Sequence, residues 1–245
     1  MNFSSVTTAL CLPADARVDR RIPKKLLVEN GAPTAADKRQ INEGIEELSW
    51  LATLKPATIG VPTYRDEIRE YLEIAVLSLA VRPEAKGNRI SELIHRSIPY
   101  PVFLILSQSG ALMLSLGHLR WSQGQPGQMV IDGPLVRVTV DDGLSSAEAF
   151  LVSLAVTAQP RQHLYAFYQG WIERFEAYAA SRLTGKFTVA LDAATAERRR
   201  SALAEQDRLT KEIASLRGRA VKETQLNRRV ELNLQLKQLC KSQMN

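Results

Sequence analysis

The sequence predicts an α+β protein, in which a mixed, mostly antiparallel sheet flanked by helices is followed by a long C-terminal helical arm. Three observations support this fold class. Two apolar runs, 101–106 and 111–116, enclose a short Ser/Gly connection, which is typical of a β-hairpin. The order of strand and helix signals lacks the regular βαβ alternation of a parallel sheet. Residues 192–245 contain no proline and read as helix.

Charge divides the 245-residue chain into two predicted domains, an α+β core at 1–190 and a basic helical arm at 191–245. Hydrophobic residues make up 45% and charged residues 24%, which excludes wholesale disorder. Residues 1–191 carry 20 Lys+Arg against 19 Asp+Glu, whereas residues 192–245 carry 12 against 7. The net charge of +6 therefore lies almost entirely in the arm, which favours an anionic partner, nucleic acid first.

Helix and strand signals alternate through the first third of the chain. Thr34, with Asp37 three residues later, resembles a capping box and begins a helix that we expect Pro56 to end. The buried face of this helix is predicted from four apolar residues at helical spacing: Ile41, Ile45, Leu48 and Ala52. A short strand is expected at 58–61. A longer strand is expected at 72–81. The spacing of its apolar residues fits a helix or a strand, but the β-branched residues and the following proline favour a strand.

The next segments are expected to build the centre of the sheet. Asn88 is predicted to cap a short helix. The run 101–106 is apolar on both faces, so we place it at the centre of a sheet that is covered on both sides. A second hairpin is expected from 128–131 and 135–140.

Two helices are predicted before the arm. Ser145 or Ser146 caps the first, and Pro160 opens the second, because proline is tolerated in a first helical turn. Gly185 ends the second helix, since glycine adopts a left-handed backbone conformation without strain. The segment 187–191 is either a short strand or an extended connector.

The arm begins at Asp192, which is expected to cap its helix. Its apolar residues first alternate by four and three, the spacing of a coiled-coil seam, and change phase past Gly218. The arm is therefore either one straight helix with two faces or a hairpin that folds back near Gly218. Asn227 stands among apolar residues, and a polar residue at a seam fixes register or partner. The candidate partner contacts are Leu209, Ile213, Leu216, Asn227 and Val230.

Arginines recur along the arm and are its candidate nucleic-acid contacts: Arg198, Arg199, Arg200, Arg217, Arg219, Arg228 and Arg229. Repeated cations favour this interpretation because release of counterions from the phosphate backbone supplies most non-specific affinity for DNA. The competing interpretation is a solvated helix face whose arginines pair with Glu205, Glu212 and Glu231.

The sequence shows no recognisable catalytic signature. Two distant cysteines and three scattered histidines lack metal-ligand spacing, and no glycine-rich phosphate loop occurs. His95 and His118 are expected to be packed or surface imidazoles rather than general bases. A metal-dependent nuclease would need an acidic cluster, for which the candidates are Asp66, Glu67, Glu70 and Glu73, but no lysine follows at a suitable spacing. No catalytic residue, metal ligand or cofactor is predicted.

The sequence predicts no membrane span, because its longest apolar stretch, 101–119, is interrupted by serine, glutamine and glycine. No basic region precedes the short apolar patch at the N-terminus, so no secretory signal is expected. We therefore expect a cytoplasmic protein in which Cys11 and Cys240 are free thiols.

Four short motifs occur in order along the chain, at 21–25, 97–103, 180–187 and 222–233. They read Arg-Ile-Pro-Lys-Lys, Ser-Ile-Pro-Tyr-Pro-Val-Phe, Ala-Ser-Arg-Leu-Thr-Gly-Lys-Phe and Lys-Glu-Thr-Gln-Leu-Asn-Arg-Arg-Val-Glu-Leu-Asn. With these motifs the chain resembles a bacterial and archaeal family known as domain of unknown function 4391. Members of that family are often encoded beside Swi/Snf-type helicases and DNA methyltransferases. The resemblance implies an accessory role in a DNA-acting assembly and supplies no catalytic residues.

The expected function is thus that of a non-catalytic interaction subunit of a restriction-modification or phage-defence assembly. Its expected partner is a helicase or DNA methyltransferase subunit, with DNA contact through the basic arm and a homodimer through the arm as further options. Two alternatives stay open: a divergent metal-dependent nuclease, and a purely structural coiled-coil dimer.

Overall fold

The computed structural model describes residues 3–125 and 127–244, and it confirms the α+β class. The strands are β1 (Arg17–Arg21), β2 (Ile45–Leu54), β3 (Tyr64–Arg65), β4 (Glu70–Tyr71), β5 (Ile74–Val81), β6 (Val102–Gln108), β7 (Ala111–Trp121) and β8 (Met129–Val140). The helices are α1 (Phe3–Ala9), α2 (Lys24–Gly31), α3 (Ala35–Gly44), α4 (Pro56–Ile59), α5 (Gly87–Ser97), α6 (Ala147–Ser153), α7 (Leu164–Thr184), α8 (Ala193–Lys222) and α9 (Leu226–Met244).

The main sheet contains six strands in the order β1-β2-β5-β6-β7-β8, and β3 and β4 form a separate two-stranded sheet. Strands β5 and β6 run parallel, and helix α5 lies in the connection between them. The other neighbouring pairs of the main sheet are antiparallel, so the sheet is mixed and mostly antiparallel, as predicted.

Strand β6 lies in the interior of the sheet and is buried on both faces, which confirms its predicted place. Phe103 and Ile105 join a core cluster with α1, α6 and α7. Leu104 and Leu106 join a second cluster on the opposite face, with α2, α3 and α5. Because both faces are covered, successive residues of this strand are apolar instead of alternating with polar ones.

The helix predicted from Thr34 to Pro56 is wrong beyond Gly44, because the chain continues there into β2. Two irregularities shift the register of β2 against β5. Such bulges change the alternation of side chains between the faces of a sheet. Ile45 and Leu48 therefore face one core cluster, and Ala52 faces the other. These apolar residues are three and four positions apart in the sequence, which is the same spacing as on one face of a helix.

Two predicted helix boundaries also differ. Pro56 occupies the first position of α4, and Gly60, with φ of 65°, ends that helix, so residues 58–61 are not a strand. Helix α7 begins after His163, whose Nδ1 accepts a backbone N–H from the first turn at 3.0 Å, and Pro160 lies in the preceding loop. The start of α7 is thus determined by the His163 side chain, which accepts a backbone N–H of the first turn. Proline is tolerated in a first helical turn but does not by itself begin a helix.

The second predicted hairpin is a single strand. Residues 128–131 and 135–140 lie on or beside β8, which pairs with β7 along both of its parts. Between those parts Gly133 has φ of 81°, and the register shifts between Leu116 and His118. Glycine at this position lets the strand bend without reversing its direction.

Local signals predicted several boundaries correctly. The Thr34 side chain accepts a hydrogen bond from the Asp37 N–H at 3.1 Å and caps α3. Gly185 adopts φ of 72° and ends α7. The segment 187–191 is a connector rather than a strand. Short-range capping and turn chemistry determines these positions without help from the rest of the fold.

His95 is buried between α5 and the sheet, as a packed imidazole. Its Nε2 lies 2.8 Å from the Ser115 hydroxyl, which also accepts a hydrogen bond from Ser91 at 3.1 Å. Burial, together with the smaller effect of the positive charge of Arg137, lowers the pKa of His95 from its ordinary value of 6.5 to about 3. Ser115 and His95 are thus closed off from solvent and form a structural link rather than a catalytic pair.

Contacts divide the chain into two compact units, residues 1–189 and 190–245. The first unit holds both sheets and helices α1 to α7, and the second holds α8 and α9. No helix in the described part of the chain is long and apolar enough to cross a membrane.

Acid is expected to destabilise the core unit through His95. In the unfolded chain this imidazole takes up a proton near pH 6.5, whereas in the folded chain it stays neutral down to about pH 3. The free energy of unfolding should therefore fall as pH decreases below 6.5, by up to about 1.4 kcal/mol per pH unit from this group. Urea unfolding at pH 7.5 and pH 5.5 measures this loss. His95→Gln should be less pH-dependent than the wild type, and equal pH dependence of the two proteins would contradict the assignment.

Candidate nucleic-acid interface

The C-terminal arm is a helical hairpin, which decides between the two arrangements that the sequence left open. The Asp192 side chain accepts a hydrogen bond from the Thr195 N–H at 2.8 Å and caps α8, as predicted. The chain reverses at the three-residue link 223–225, where the Gln225 N–H donates to Glu223 Oε1 at 2.9 Å. The turn begins five residues beyond Gly218, which lies inside α8. Glycine weakens a helix but does not by itself end one.

The two helices pack through an apolar seam near the link. Leu216, Ala220 and Leu232 form its buried cluster, and Leu236 and Leu239 of α9 pack against them. The last three of these residues are spaced by four and three, so they line one face of α9. This local packing, rather than intrinsic helix propensity, is what holds two helices together in water.

The predicted partner contacts separate into two groups. Leu209, Ile213 and Leu216 are buried within the chain, and their contact with a partner stays a prediction. Asn227 is exposed and Val230 is 51% exposed, so both are accessible from solvent on α9. Their role as partner contacts stays a prediction.

Most cations in the first two thirds of α8 are neutralised on their own helix. Arg208 binds Glu205 at 2.7 Å and Glu212 at 3.0 Å. Lys211 binds Asp207 at 2.5 Å. These pairs stand three or four residues apart and fit the competing interpretation of a solvated helix face. They add little stability, but each one cancels charge that a phosphate would otherwise meet.

The run 198–200 does not form one cationic face. Successive residues of an α-helix point about 100° apart, so the three side chains diverge. Arg198 donates to the Thr195 hydroxyl at 2.9 Å, Arg199 is half-buried, and Arg200 forms an ion pair with Glu197 at 2.7 Å. The run is therefore a weaker phosphate site than its sequence indicates.

Cations without ion pairs gather around the link between α8 and α9. We call this set the hairpin tip, and its members are Arg217, Arg219, Lys222, Arg228 and Arg229. All five side chains are exposed, and no ion pair to any of them occurs among the residues that the structure describes. Two carboxylates lie in the same stretch, Glu223 and Glu231. Glu223 accepts the hydrogen bond from the Gln225 backbone N–H in the link. The tip thus carries an excess of exposed positive charge.

The tip is compact along the hairpin. Arg217 lies six residues before the link and Arg229 four residues after it, or about 9 Å and 6 Å at a helical rise of about 1.5 Å per residue. Between the helices here is a groove of about 300 Å³, lined by Arg219, Glu223, Arg228, Glu231, Leu232 and Gln235. By the same rise Arg200 lies about 25 Å along α8 from Arg217. The seven predicted arginines therefore form two separate groups.

Lys222 belongs to the tip but is absent from the predicted contacts. A usable signal was present in the sequence, namely the lack of carboxylates three or four residues away. Arg217 has only apolar residues at those distances, whereas Arg208 has a glutamate on each side. This spacing separates Arg217 from Arg208. It does not decide the pairing of Arg219 and Arg228, which have Glu223 and Glu231 four and three residues further on and still form no ion pair in the described part of the chain.

Two of the four carboxylates considered for a nuclease, Asp66 and Glu70, are engaged in structural contacts. Asp66 accepts hydrogen bonds from the Tyr64 hydroxyl at 2.7 Å and from the Arg69 N–H at 2.5 Å, and these bonds lower its pKa. Glu70 forms an ion pair with Arg65 at 3.3 Å. Within residues 3–125 and 127–244, no group of three or more His, Cys, Asp or Glu side chains is placed to hold a metal ion.

A polar network in the core unit links residues that lie far apart in the sequence. The Tyr71 hydroxyl bonds His118 Nδ1, and His118 Nε2 bonds Gln169 Oε1 at 2.8 Å. Gln169 in turn donates to Glu173 at 3.2 Å. Tyr71 is fully buried, and burial raises its pKa above the ordinary value. The network connects β4 and β7 with α7. No sequence motif predicts it, because its bonded residues are about 50 positions apart in the sequence.

Packing at the hairpin seam predicts a difference between two neighbouring leucines of α9. Leu232 is 8% exposed in the seam, whereas Leu234 is 58% exposed. Leu232→Ala should lower the free energy of opening the hairpin by about 2 kcal/mol or more, and Leu234→Ala by about 0.5 kcal/mol or less. Hydrogen exchange of the α8 and α9 amides measures both values. Equal effects of the two substitutions would contradict the hairpin.

The chain matches the family model described as Domain of unknown function (DUF4391) over residues 10–242. It therefore belongs to that family. No curated protein and no solved structure matches it.

Proposed function

We propose that this member of the DUF4391 family is a non-catalytic accessory subunit that contacts nucleic-acid phosphates through the hairpin tip. The observation that carries the proposal is the gathering of five exposed cations, without ion pairs in the described part of the chain, around the link between α8 and α9. Carboxylates neutralise the cations of the α8 middle but not these, so the tip is where the positive charge of the arm is available to a partner.

The geometry suits a phosphate backbone rather than a small anion. Two of the five cations, Arg219 and Arg228, line the groove between the helices, whereas Arg217, Lys222 and Arg229 lie outside it at exposed positions, so the set extends along the surface instead of enclosing one small anion. Contacts of this kind bind DNA mainly through counterion release, with little dependence on base sequence. We therefore expect binding that tolerates any sequence and weakens steeply with salt.

Within this proposal the protein is a subunit of a DNA-acting assembly, with a helicase or DNA methyltransferase as partner. The polar side chains of the core unit support a role without catalysis. Asp66 and Glu70 are held in structural contacts, and the His95–Ser115 pair is closed to solvent.

The testing experiment compares two double variants that change net charge equally. Arg217→Gln with Arg228→Gln removes two tip cations, and Arg208→Gln with Lys211→Gln removes two cations that are ion-paired in α8. Binding to labelled duplex and single-stranded DNA is measured by fluorescence anisotropy across a salt series. The tip variant should bind more weakly, and the slope of log K against log salt should decrease by about one for each phosphate contact removed. The α8 variant should keep the wild-type slope.

Three results would count against the proposal. No DNA binding at low salt would remove nucleic acid from the direct partners. Equal losses in both double variants would show that net charge alone acts. A larger effect from replacing residues 198–200 by glutamine would place the contact at the start of α8 instead of the tip.

A further inference from the structure

Three cations from distant parts of the sequence meet at one end of the main sheet. Strands β1 and β5 both pair antiparallel with β2, which lies between them, so they run in the same direction and leave the sheet at the same end. Arg21 is the last residue of β1, and Lys24 begins α2 three residues later. Arg82 directly follows the last residue of β5. We call these three residues the core cations.

All three core cations are attached to the segment 42–46, where α3 ends and β2 begins. The Lys24 ammonium donates to the carbonyl oxygen of residue 42 at 2.9 Å, and the Arg21 guanidinium donates to that of residue 46 at 3.4 Å. The backbone N–H of Arg82 donates to the carbonyl oxygen of residue 44 at 2.9 Å. The fold therefore holds these residues around the same five positions of the chain.

The core cations have no carboxylate partner. Arg21 and Arg82 are exposed and Lys24 is half-buried, and within residues 3–125 and 127–244 none of the three forms an ion pair. Other cations of the same region are paired, as Arg39 is with Glu43 at 2.8 Å. The positive charge of the core cations is thus not neutralised within the described part of the chain.

The electrostatic environment of Lys24 agrees with this geometry. Burial, followed by the positive charges of Arg82 and Arg21, lowers the pKa of Lys24 below its ordinary value of 10.5. Two guanidinium groups therefore lie close enough to the Lys24 ammonium to oppose its charge. Like charges held together repel one another, and an anion bound among them would remove this repulsion.

We infer that the core cations form a binding site for a phosphate group, on the core unit and distinct from the hairpin tip. Arginine suits phosphate because its guanidinium donates two parallel N–H groups to the phosphate oxygens. The main-chain carbonyls use one donor of Lys24 and one of Arg21, so most N–H groups of the three side chains stay available. A nucleic-acid strand and a free polyphosphate both carry this group, and binding measurements distinguish these two sources.

Acetylation of the full chain by an amine-reactive reagent provides a readout at the site itself. The rate at each lysine is measured by mass spectrometry in sodium tripolyphosphate and in sodium chloride of equal ionic strength. Bound phosphate favours the protonated ammonium, which does not react, so acetylation of Lys24 should slow by about threefold or more in tripolyphosphate. Lys25, which pairs with Glu29 at 3.7 Å, is the internal control and should react at the same rate in both salts.

Two pairs of substitutions with the same charge change test which cations bind. Both are made in the tip variant, so that the hairpin tip contributes little, and tripolyphosphate binding is measured by calorimetry. Arg21→Gln with Arg82→Gln should weaken binding by about tenfold or more. Arg39→Gln with Arg65→Gln, which removes two ion-paired cations, should leave it unchanged. With duplex DNA, a further loss of affinity from the core substitutions assigns the phosphate to a nucleic-acid strand, and unchanged affinity assigns it to a free polyphosphate.

Two results would overturn the inference. One is equal acetylation of Lys24 in tripolyphosphate and chloride, and the other is an equal loss of tripolyphosphate binding from both pairs of substitutions. The acetylation and calorimetry use no DNA, so a hairpin tip that fails to bind DNA leaves the core site standing. A core site that fails these tests leaves the proposal for the hairpin tip standing.

Discussion

Strands β5 and β6 are buried on both faces over most of their length, and the core unit is organised around covering them. Their backbone N–H and C=O groups pair with each other and with β2 and β7 on either side. Their side chains require helices on both faces, which α1, α6 and α7 supply on one and α2, α3 and α5 on the other. The parallel pairing also requires the crossover that carries α5 and, with it, the buried His95.

In the C-terminal helical hairpin, the pattern of charged residues along α8 determines which cations are accessible. In the middle of α8, acidic and basic residues stand three and four positions apart and neutralise one another. The positions three and four residues from Arg217 hold Ile213, Ala214, Ala220 and Val221, and Ala220 belongs to the buried cluster that packs the two helices together. The need to close the hairpin therefore leaves nearby cations such as Arg217 without carboxylate neighbours. Accessible positive charge at the tip is a by-product of packing as much as of composition.

How far the sequence predicts this structure depends on the range of the interactions. Thr34, Gly185 and Asp192 act on atoms within four residues, and their predicted effects are confirmed. The hairpin of β6 and β7 is confirmed for the same reason. The sequence predicts a helix where strand β2 lies, because the bulges of β2 depend on pairing with β5 and no local pattern reveals that pairing. The site is similar: arginine positions are visible in the sequence, but which of them stay unpaired depends on where the chain turns.

The link of three residues also has a consequence for how the chain folds. Leu216 and Leu232 are in contact and are only 16 positions apart in the sequence. In the sheet the paired residues are further apart, as Arg17 with Ala52 and Ala75 with Val102 show. Local contacts close quickly, on the order of microseconds, and distant strand pairings are slower because more chain entropy is lost first. We therefore expect the arm to fold faster than the core unit and to melt in a separate transition, so that a single midpoint temperature would not describe the whole chain.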